Sequence, residues 1–358
     1  MSSKNLQGGN KKLRILYFGR YSAKYPRNAV ILAGLRANGV LVNELNSKNI
    51  FWPIDLLING ILAKKFDVIF VAYPGHLEVF IAKIIGVLRK KPVVLDKFYS
   101  LYDTFILDRK ILPNLFPFYF PFKLLDYFDC LLADLILLDT QQNINFFLET
   151  YSIQKNKFFK LFVGAFPNKL KHSKSSFFTV LFFGRYIPLQ GTKIIIKSAE
   201  ILKNKKNIRF VLVGKGQDFY FVKKYAVEKK IDNVLFLGEC NISKIKSLVA
   251  SASLGLGVFG STGKTKRVIP NKCFEIIAAG KPLLTANTPA IRELLIPEKD
   301  CLTCKEASEI DLARKIIYAS NNFGKIKKIG LCGKKVYLKK ATPRVIGLRL
   351  SKKLFDFI

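Results

Sequence analysis

Two segments in the second half of the chain bring cations, glycines and a helix start together in a way that suits an anion. Phe183-Gly184-Arg185-Tyr186-Ile187-Pro188-Leu189-Gln190-Gly191 follows an apolar run. It offers a glycine for close backbone approach and an arginine whose planar guanidinium can clamp phosphate oxygens through paired bonds. In Arg267-Val-Ile-Pro270-Asn271-Lys272-Cys273-Phe274-Glu275, running on to Gly280-Lys281-Pro282, a proline stands just ahead of a helical pattern. The first amides of such a helix, at Asn271, Lys272 and Cys273, lack intrahelical acceptors and carry the positive end of its dipole, which is where a diphosphate fits. Glu275 falls one turn further on and can accept hydrogen bonds from ribose hydroxyls. Taken singly, each segment also reads as ordinary structure: a surface arginine in a turn, and a capped helix with a solvated acid.

Other strand-end loops carry weaker signals. Val213-Gly214-Lys215-Gly216 has glycine spacing but Phe219 where a dinucleotide fingerprint needs its third glycine, so a tight turn accounts for it as well. At Leu237-Gly238-Glu239 backbone groups could meet the edge of a base. In the first half, Asp96 closes a short apolar strand, and Asp96 and Asp103 are candidates for orienting an acceptor hydroxyl. Arg109 could meet an anionic group beside Asp108. Pairing Asp96 with Asp108 as a hydrolytic acid and base is disfavoured because nothing fixes their separation. Six cysteines lie scattered, and Cys301-Leu-Thr-Cys304, the close pair, offers two of the four ligands a zinc ion needs. No metal and no cofactor is expected.

The elements that must position these loops alternate between strand-like and helical runs, which predicts parallel sheets built from βαβ units. The first half reads as strands over Leu13–Phe18, Val40–Leu45, Val68–Val71, Val93–Leu95, Leu135–Leu138 and Phe159–Val163, with helices over Ala29–Asn38 and Leu77–Leu88. The polar, basic stretch Pro167–Ser176 has no hydrophobic period and reads as a linker. The alternation then restarts at Phe177–Phe183 and runs to Pro282–Thr285. The expected division is an N-terminal acceptor domain over 1–166, a linker over 167–176, a C-terminal donor domain over 177–335, and a helical segment over 336–358 packing back on the first domain. Ligands of such sheets bind beyond the carboxyl ends of the strands, so two facing halves place a cleft between their strand ends.

Composition bounds the partners. A formal charge of +35, from 60 lysines and arginines against 25 acids, favours polyanions. No stripe of basic residues interleaved with aromatics appears, so nucleic acid is not expected, whereas an anionic membrane surface is. The apolar stretch Ile111–Leu138 is broken by three prolines, Lys123 and three aspartates, which argues against a membrane span but not against an interfacial face. Leu77–Leu88 with the following Arg-Lys-Lys, and the Phe-rich Leu115–Phe128, are the segments suited to lie on a leaflet. The polar start, Met1–Lys12, does not read as a cleavable signal, and a cytoplasmic protein, peripheral on the inner face of the cell membrane, is expected.

The Phe183–Gly191 loop, the Val213–Gly216 turn, the Pro270–Pro282 block and Thr285-Ala-Asn-Thr-Pro-Ala-Ile-Arg-Glu293 together resemble the retaining glycosyltransferases of family 4. The similarity is strongest over about Phe177–Leu295. It implies the α/β GT-B fold, two Rossmann-like doubly wound domains facing across a cleft. It implies a glycosyltransferase that moves a hexose from a nucleotide-diphosphate sugar to a glycan or lipid-linked acceptor, with retention, in cell-envelope polysaccharide or glycolipid synthesis. Arg185 would contact the diphosphate with Lys272, supported by Gly184, Gly214, Gly238 and the Pro270–Cys273 amides, Glu275 would hold the ribose, and Gly19 would approach the diphosphate from the other domain. Two positions depart from the family: Gln190 stands where many members have a lysine, for which Lys272 would substitute, and Arg267 stands where many have an acid contacting the sugar. The alternatives are a nucleotide-sugar epimerase of the same fold and a catalytically impaired sugar-nucleotide-binding partner.

Overall fold

In the computed structural model, which describes residues 12–168 and 176–358, two parallel six-stranded sheets stand in two lobes. The N-terminal sheet has the order β2-β1-β3-β4-β5-β6. Its strands are β1 (Arg14–Gly19), β2 (Leu41–Asn46), β3 (Val68–Val71), β4 (Val93–Asp96), β5 (Leu135–Leu138) and β6 (Phe158–Lys160). All four residues of β3, β4 and β5 are buried, as expected for central strands covered on both faces. The helices are α1 (Pro26–Ala37), α2 (Trp52–Leu62), α3 (Glu78–Arg89), α4 (Phe120–Leu132) and α5 (Gln141–Tyr151), with a π-helix over Tyr102–Asp108 after β4.

The C-terminal sheet has the order β12-β11-β10-β7-β8-β9. It is built from β7 (Phe178–Phe183), β8 (Ile208–Val213), β9 (Val234–Gly238), β10 (Leu254–Leu256), β11 (Leu283–Ala286) and β12 (Leu302–Cys304). Between them run α6 (Thr192–Ile201), α7 (Phe219–Glu228), α8 (Ile242–Ser251), α9 (Gly263–Arg267), α10 (Asn271–Ala278) and α11 (Pro289–Leu294), followed by α12 (Glu309–Asn321), α13 (Phe323–Lys340) and α14 (Pro343–Phe357). The strand order reverses at β7, between β8 and β10, so the loops leaving β7 and β10 open a crevice at the switch point.

Several expected bounds shift for local reasons. The first helix begins at Pro26 rather than Ala29, because proline is preorganised for the first helical position. The C-terminal stretch is not one helix: Thr342 caps a new one, its Oγ1 accepting from Val345 N at 3.3 Å, with Pro343 at the first position. Most of the predicted linker, 169–175, and the polar start, 1–11, lie outside the described residues.

The chain returns to its first lobe. Helix α14 crosses α1 at a glycine pair, where a Cβ on Gly34 or Gly347 would collide with the backbone of the opposite helix. Asn38 Nδ2 donates to the Arg344 carbonyl (2.9 Å) and Tyr337 Oη to the Ala165 carbonyl (2.9 Å), so the crossing is tied by hydrogen bonds as well as by contact.

Candidate active site

The strand ends of the two lobes face each other across a cleft of about 540 Å³. The C-terminal lobe lines it with Gly184, Arg185 and Gln190 from the loop after β7, and with Pro270, Asn271, Lys272 and Glu275 from the start of α10. The N-terminal lobe contributes Tyr25, Tyr73, Tyr99, Asp108, Arg109 and Asp139. Two segments far apart in sequence thus meet in one wall, and the exposed Arg185 side chain borders the same space as the α10 start.

The loop after β7 takes its shape from its neighbour. Gly184 has φ +142° and Gly214 φ +120°, and a Cβ on Gly214 would collide with the Gly184 carbonyl. Gly184 N donates to Val213 O (3.1 Å), Tyr186 N to Lys215 O (3.0 Å) and Asp218 N to Tyr186 O (2.9 Å). The Val213–Gly216 turn therefore buttresses the Arg185 loop and does not itself line the cleft. Gly238 lies one layer further back, its carbonyl accepting from Gly214 N.

Lys272 is the most unusual group in the wall. It is 4% exposed, its Nζ lies 3.8 Å from the centre of the Phe182 ring, and among the described residues it has no hydrogen-bond partner. Burial pushes its pKa down to about 7. The Cys273 amide already donates to Pro270 O (2.9 Å), and the Cys273 thiol is buried in the core, so this residue offers the cleft nothing of its side chain. The amides of Asn271 and Lys272 remain as the donors of the helix start. Glu275, half-buried on the same helix, has its carboxyl pushed up to about 7 by burial.

The N-terminal wall is carried by the π-helix, an arrangement that local strain makes uncommon outside functional sites. Asp103 is 2% exposed and spent: Arg267 Nη2 donates to it and Lys264 Nζ stands 3.7 Å away, both from α9 of the other lobe. Lys264 also donates to Thr104 Oγ1 (2.5 Å), and Thr262 Oγ1 to Asp108 Oδ1 (2.7 Å). Arg267, in place of the family's acid, is thus a cross-lobe tie. A second tie caps α5, whose Gln141 and Gln142 amides donate to Glu293 of α11 at 2.8 and 3.0 Å.

Besides Gly214 and Gly238, further expected site residues lie outside the cleft wall. Asp96 is fully buried with both oxygens on Arg27, Nε at 2.7 and 2.8 Å and Nη2 at 2.6 Å, so it cannot orient an acceptor. Gly19 ends β1 against the Glu78 side chain and is not part of the cleft wall. Asp103 does not orient an acceptor either, since its carboxylate is held by two cations. The residues that sequence reasoning passed over are Lys264 and Asp139. Asp139 did carry a signal, a lone charge directly after a predicted strand, but it was no stronger than that of Asp96; Lys264 stands in the basic run Lys264-Thr-Lys-Arg267 and carried none.

One polar cluster lies behind the cleft. Lys97 Nζ sits among Asp126 Oδ1 (2.6 Å), His76 Nδ1 (2.9 Å) and Asp129 Oδ2, all buried. Ligand atoms of His76, Asp126 and Asp129 lie within 4.8 Å of one another, and the cation they converge on is the Lys97 ammonium.

Comparison with known proteins agrees with this architecture. Residues 149–335, more than half of the chain, match the family model for glycosyl transferases group 1. Among solved structures, Anabaena HepE in complex with UDP-glucose superposes with a TM-score of 0.73 at 16% identity, covering 96% of this chain and all of that one. A glycosyltransferase from Rickettsia africae ESF-5 gives 0.69 at 14% identity over 97% of this chain and 99% of its own. Sucrose-phosphate synthase from Thermosynechococcus elongatus gives 0.70 at 12% identity over 96% and 100%. The fold is GT-B. A search of curated protein sequences found no match.

Proposed function

We propose that this chain, which belongs to the family of glycosyl transferases group 1, moves a hexose from a nucleotide-diphosphate sugar to a hydroxyl of a glycan or lipid-linked acceptor with retention at the anomeric carbon. The observation that carries this reading is the unpaired Lys272 ammonium, buried under the Gly184 loop at the start of α10 and sharing a wall with Arg185. A buried cation with no counter-charge is costly, and a bound anion relieves that cost. A diphosphate seated there would meet the Arg185 guanidinium, the Lys272 ammonium and the free amides of Asn271 and Lys272, with Glu275 placed for the ribose. Likeness to HepE in complex with UDP-glucose supports uridine as the base.

The same groups account for the chemistry. As the C1–O bond to the diphosphate breaks, its electron pair leaves with the nucleotide, and Lys272, Arg185 and the helix amides neutralise the charge that accumulates there. The acceptor oxygen bonds to C1 on the face the diphosphate vacates, and its proton passes to a phosphate oxygen of the donor. No enzymic nucleophile and no metal are required by this route. Incubating the chain with UDP-hexoses tests it: release of UDP, by slow hydrolysis or by transfer, is expected, whereas failure to bind any nucleotide diphosphate would sink it.

A different observation supports an acceptor presented at a membrane surface. Helix α2 with its preceding turn exposes Phe51, Ile54, Ile58 and Leu62; α3 exposes Ile84, Val87 and Leu88; α4 and the turn before it expose Leu115, Phe116, Phe120 and Leu131. These helices neighbour one another, α2 against α3 and α3 against α4, and exposed Lys64, Lys65, Lys90 and Lys110 flank them. No helix among the described residues is long and apolar enough to cross a membrane. An apolar face edged with lysine suits the interface of an anionic leaflet, and a lipid-linked acceptor in envelope polysaccharide or glycolipid synthesis is consistent with it. The chain is expected to float with phosphatidylserine vesicles at low salt and to be released at high salt. Ile54→Glu with Val87→Glu is expected to abolish flotation while leaving UDP binding intact; wild-type protein that stays in the bottom fraction removes the membrane reading alone.

A further inference from the structure

Several polar atoms along the cleft are buried without a partner among the described residues, and they sort by sign. Lys272 Nζ and Arg109 Nε are donors, while Asp108 Oδ2, Asp139 Oδ2 and Gln190 Oε1 are acceptors. Buried acceptors are almost always satisfied in folded proteins, so three open ones along one cleft suit a ligand that brings hydroxyl donors as well as an anion.

Among the carboxylates near the cleft, elimination leaves few choices. Asp96 is held by Arg27, Asp103 by Arg267 and Lys264, and position 267 is itself a cation facing away into that pair. Asp108 spends one oxygen on Thr262 of the opposite lobe. Asp139, at the carboxyl end of β5 and 1% exposed, receives Asn143 Nδ2 on Oδ1 at 2.9 Å and keeps Oδ2 open. Burial pushes the Asp139 carboxyl up to about 6, opposed by Asn143, Arg27 and, more weakly, by the backbone N–H of Ile269, the residue before Pro270, so the carboxyl stands beside the segment that begins the diphosphate seat. A sugar is bonded directly to the distal phosphate of its nucleotide, so the hydroxyls that come closest to this seat belong to the transferred sugar.

We propose that Asp139 hydrogen-bonds a hydroxyl of the donor sugar, serving from the N-terminal lobe as the acid that position 267 does not provide. This rests on the nucleotide-sugar reading above. It gives the two lobes distinct parts: the C-terminal lobe grips the diphosphate, and the N-terminal lobe reads the sugar. Asp139→Asn preserves volume and can still accept from Asn143 through its carbonyl oxygen; Asp139→Ser removes the carboxylate by a different route. Calorimetric titration with UDP and with UDP-glucose, UDP-galactose and UDP-N-acetylglucosamine is the test, with circular dichroism to establish folding. In both variants UDP affinity is expected to stay within about 2-fold of wild type, while the best UDP-sugar weakens on the order of 10-fold or more, the size of a lost hydrogen bond to a charged group. Parallel weakening of UDP and UDP-sugar would make Asp139 a structural residue and overturn the proposal. Unchanged UDP-sugar binding with lost transfer would put Asp139 on the acceptor and overturn it equally. Wild-type protein that binds neither UDP nor any UDP-sugar removes the nucleotide-sugar reading itself, a different result from a variant that fails to separate the two ligands.

Discussion

In Lys272→Met the rate of UDP release from UDP-sugar, as kcat/KM, is expected to fall by about 10²–10³, the range for removing one preorganised electrostatic contact to a developing anion. The folded protein is expected to become more stable, and this pairing of opposite effects marks a residue kept for a ligand. Methionine fills the space under the Gly184 loop against Phe182 without placing a charge there. The sign follows from linkage. The folded Lys272 pKa is about 7 against an ordinary 10.5, so between those values the unfolded chain holds a proton that the folded chain does not. Wild-type stability therefore rises with pH from about 7 to about 10.5, by at most ~1.4 kcal/mol per pH unit from this group, and the penalty is complete below that window. The methionine variant is expected to lack that slope, to melt above wild type at pH 7, and to converge with it near pH 10.

Ligand binding reports the same proton. A diphosphate beside the ammonium favours its charged form, so UDP binding at pH 8 is expected to take up close to one proton per site. Titration calorimetry in two buffers of different ionisation enthalpy measures this directly. Uptake that is absent in wild type, or that persists in Lys272→Met, would show that the diphosphate sits elsewhere.

The wall formed by the Arg185 loop and the start of α10 was legible because its parts are set locally. Pro270 before a helical pattern, and glycine with arginine after a strand, are local signals, and local signals survive in sequence. The glycines of Val213–Gly216 were legible as a turn, although what they do, letting one loop lie against the Arg185 loop, depends on a contact across two strands. Asp96 misled for the opposite reason: its partner Arg27 is 69 residues away, and a buried ion pair of that separation leaves no local trace. Helix α2 went unread because its regular apolar stripe, Phe51, Ile54, Ile58 and Leu62, faces outward, while the stretch has too few polar residues to stand out as amphipathic. Asp126 and Asp129 read as polar interruptions of an apolar run. They are polar because Lys97, just past the end of β4, requires them.

That last cluster predicts the largest structural effect. Asp126 does more than pair with Lys97: it accepts from Ser100 Oγ (2.6 Å), Tyr151 Oη (2.9 Å) and the Leu101 and Tyr102 amides (3.0 and 2.9 Å) at the head of the π-helix. The π-helix in turn presents Thr104 and Asp108 to the cleft, so a wholly buried lysine determines where the N-terminal wall of the cleft stands. Burial alone would depress the Lys97 pKa, yet Asp126 and Asp129 hold it above the ordinary lysine value, and Asp126 is held below the ordinary carboxylate value despite its own burial. Lys97→Met strands two carboxylates in the core and is expected to cost about 3–5 kcal/mol, lowering the melting temperature on the order of 10 °C. The pH dependence should also reverse. In wild type the depressed Asp126 pKa contributes stability that is lost as pH falls through the acid range. In the variant Asp126 loses its buried counter-charge and Asp129 keeps only His76, so taking up protons in this cluster helps the folded state and the protein should be more stable at pH 5 than at pH 8. Adding Asp126→Asn and Asp129→Asn removes the stranded charge and is expected to recover most of the loss, because a neutral buried network costs far less than an unpaired charge. A Lys97→Met protein that melts with wild type at pH 8 would show that the ammonium is not what holds these helices together, and the link from the core to the cleft wall would fail with it.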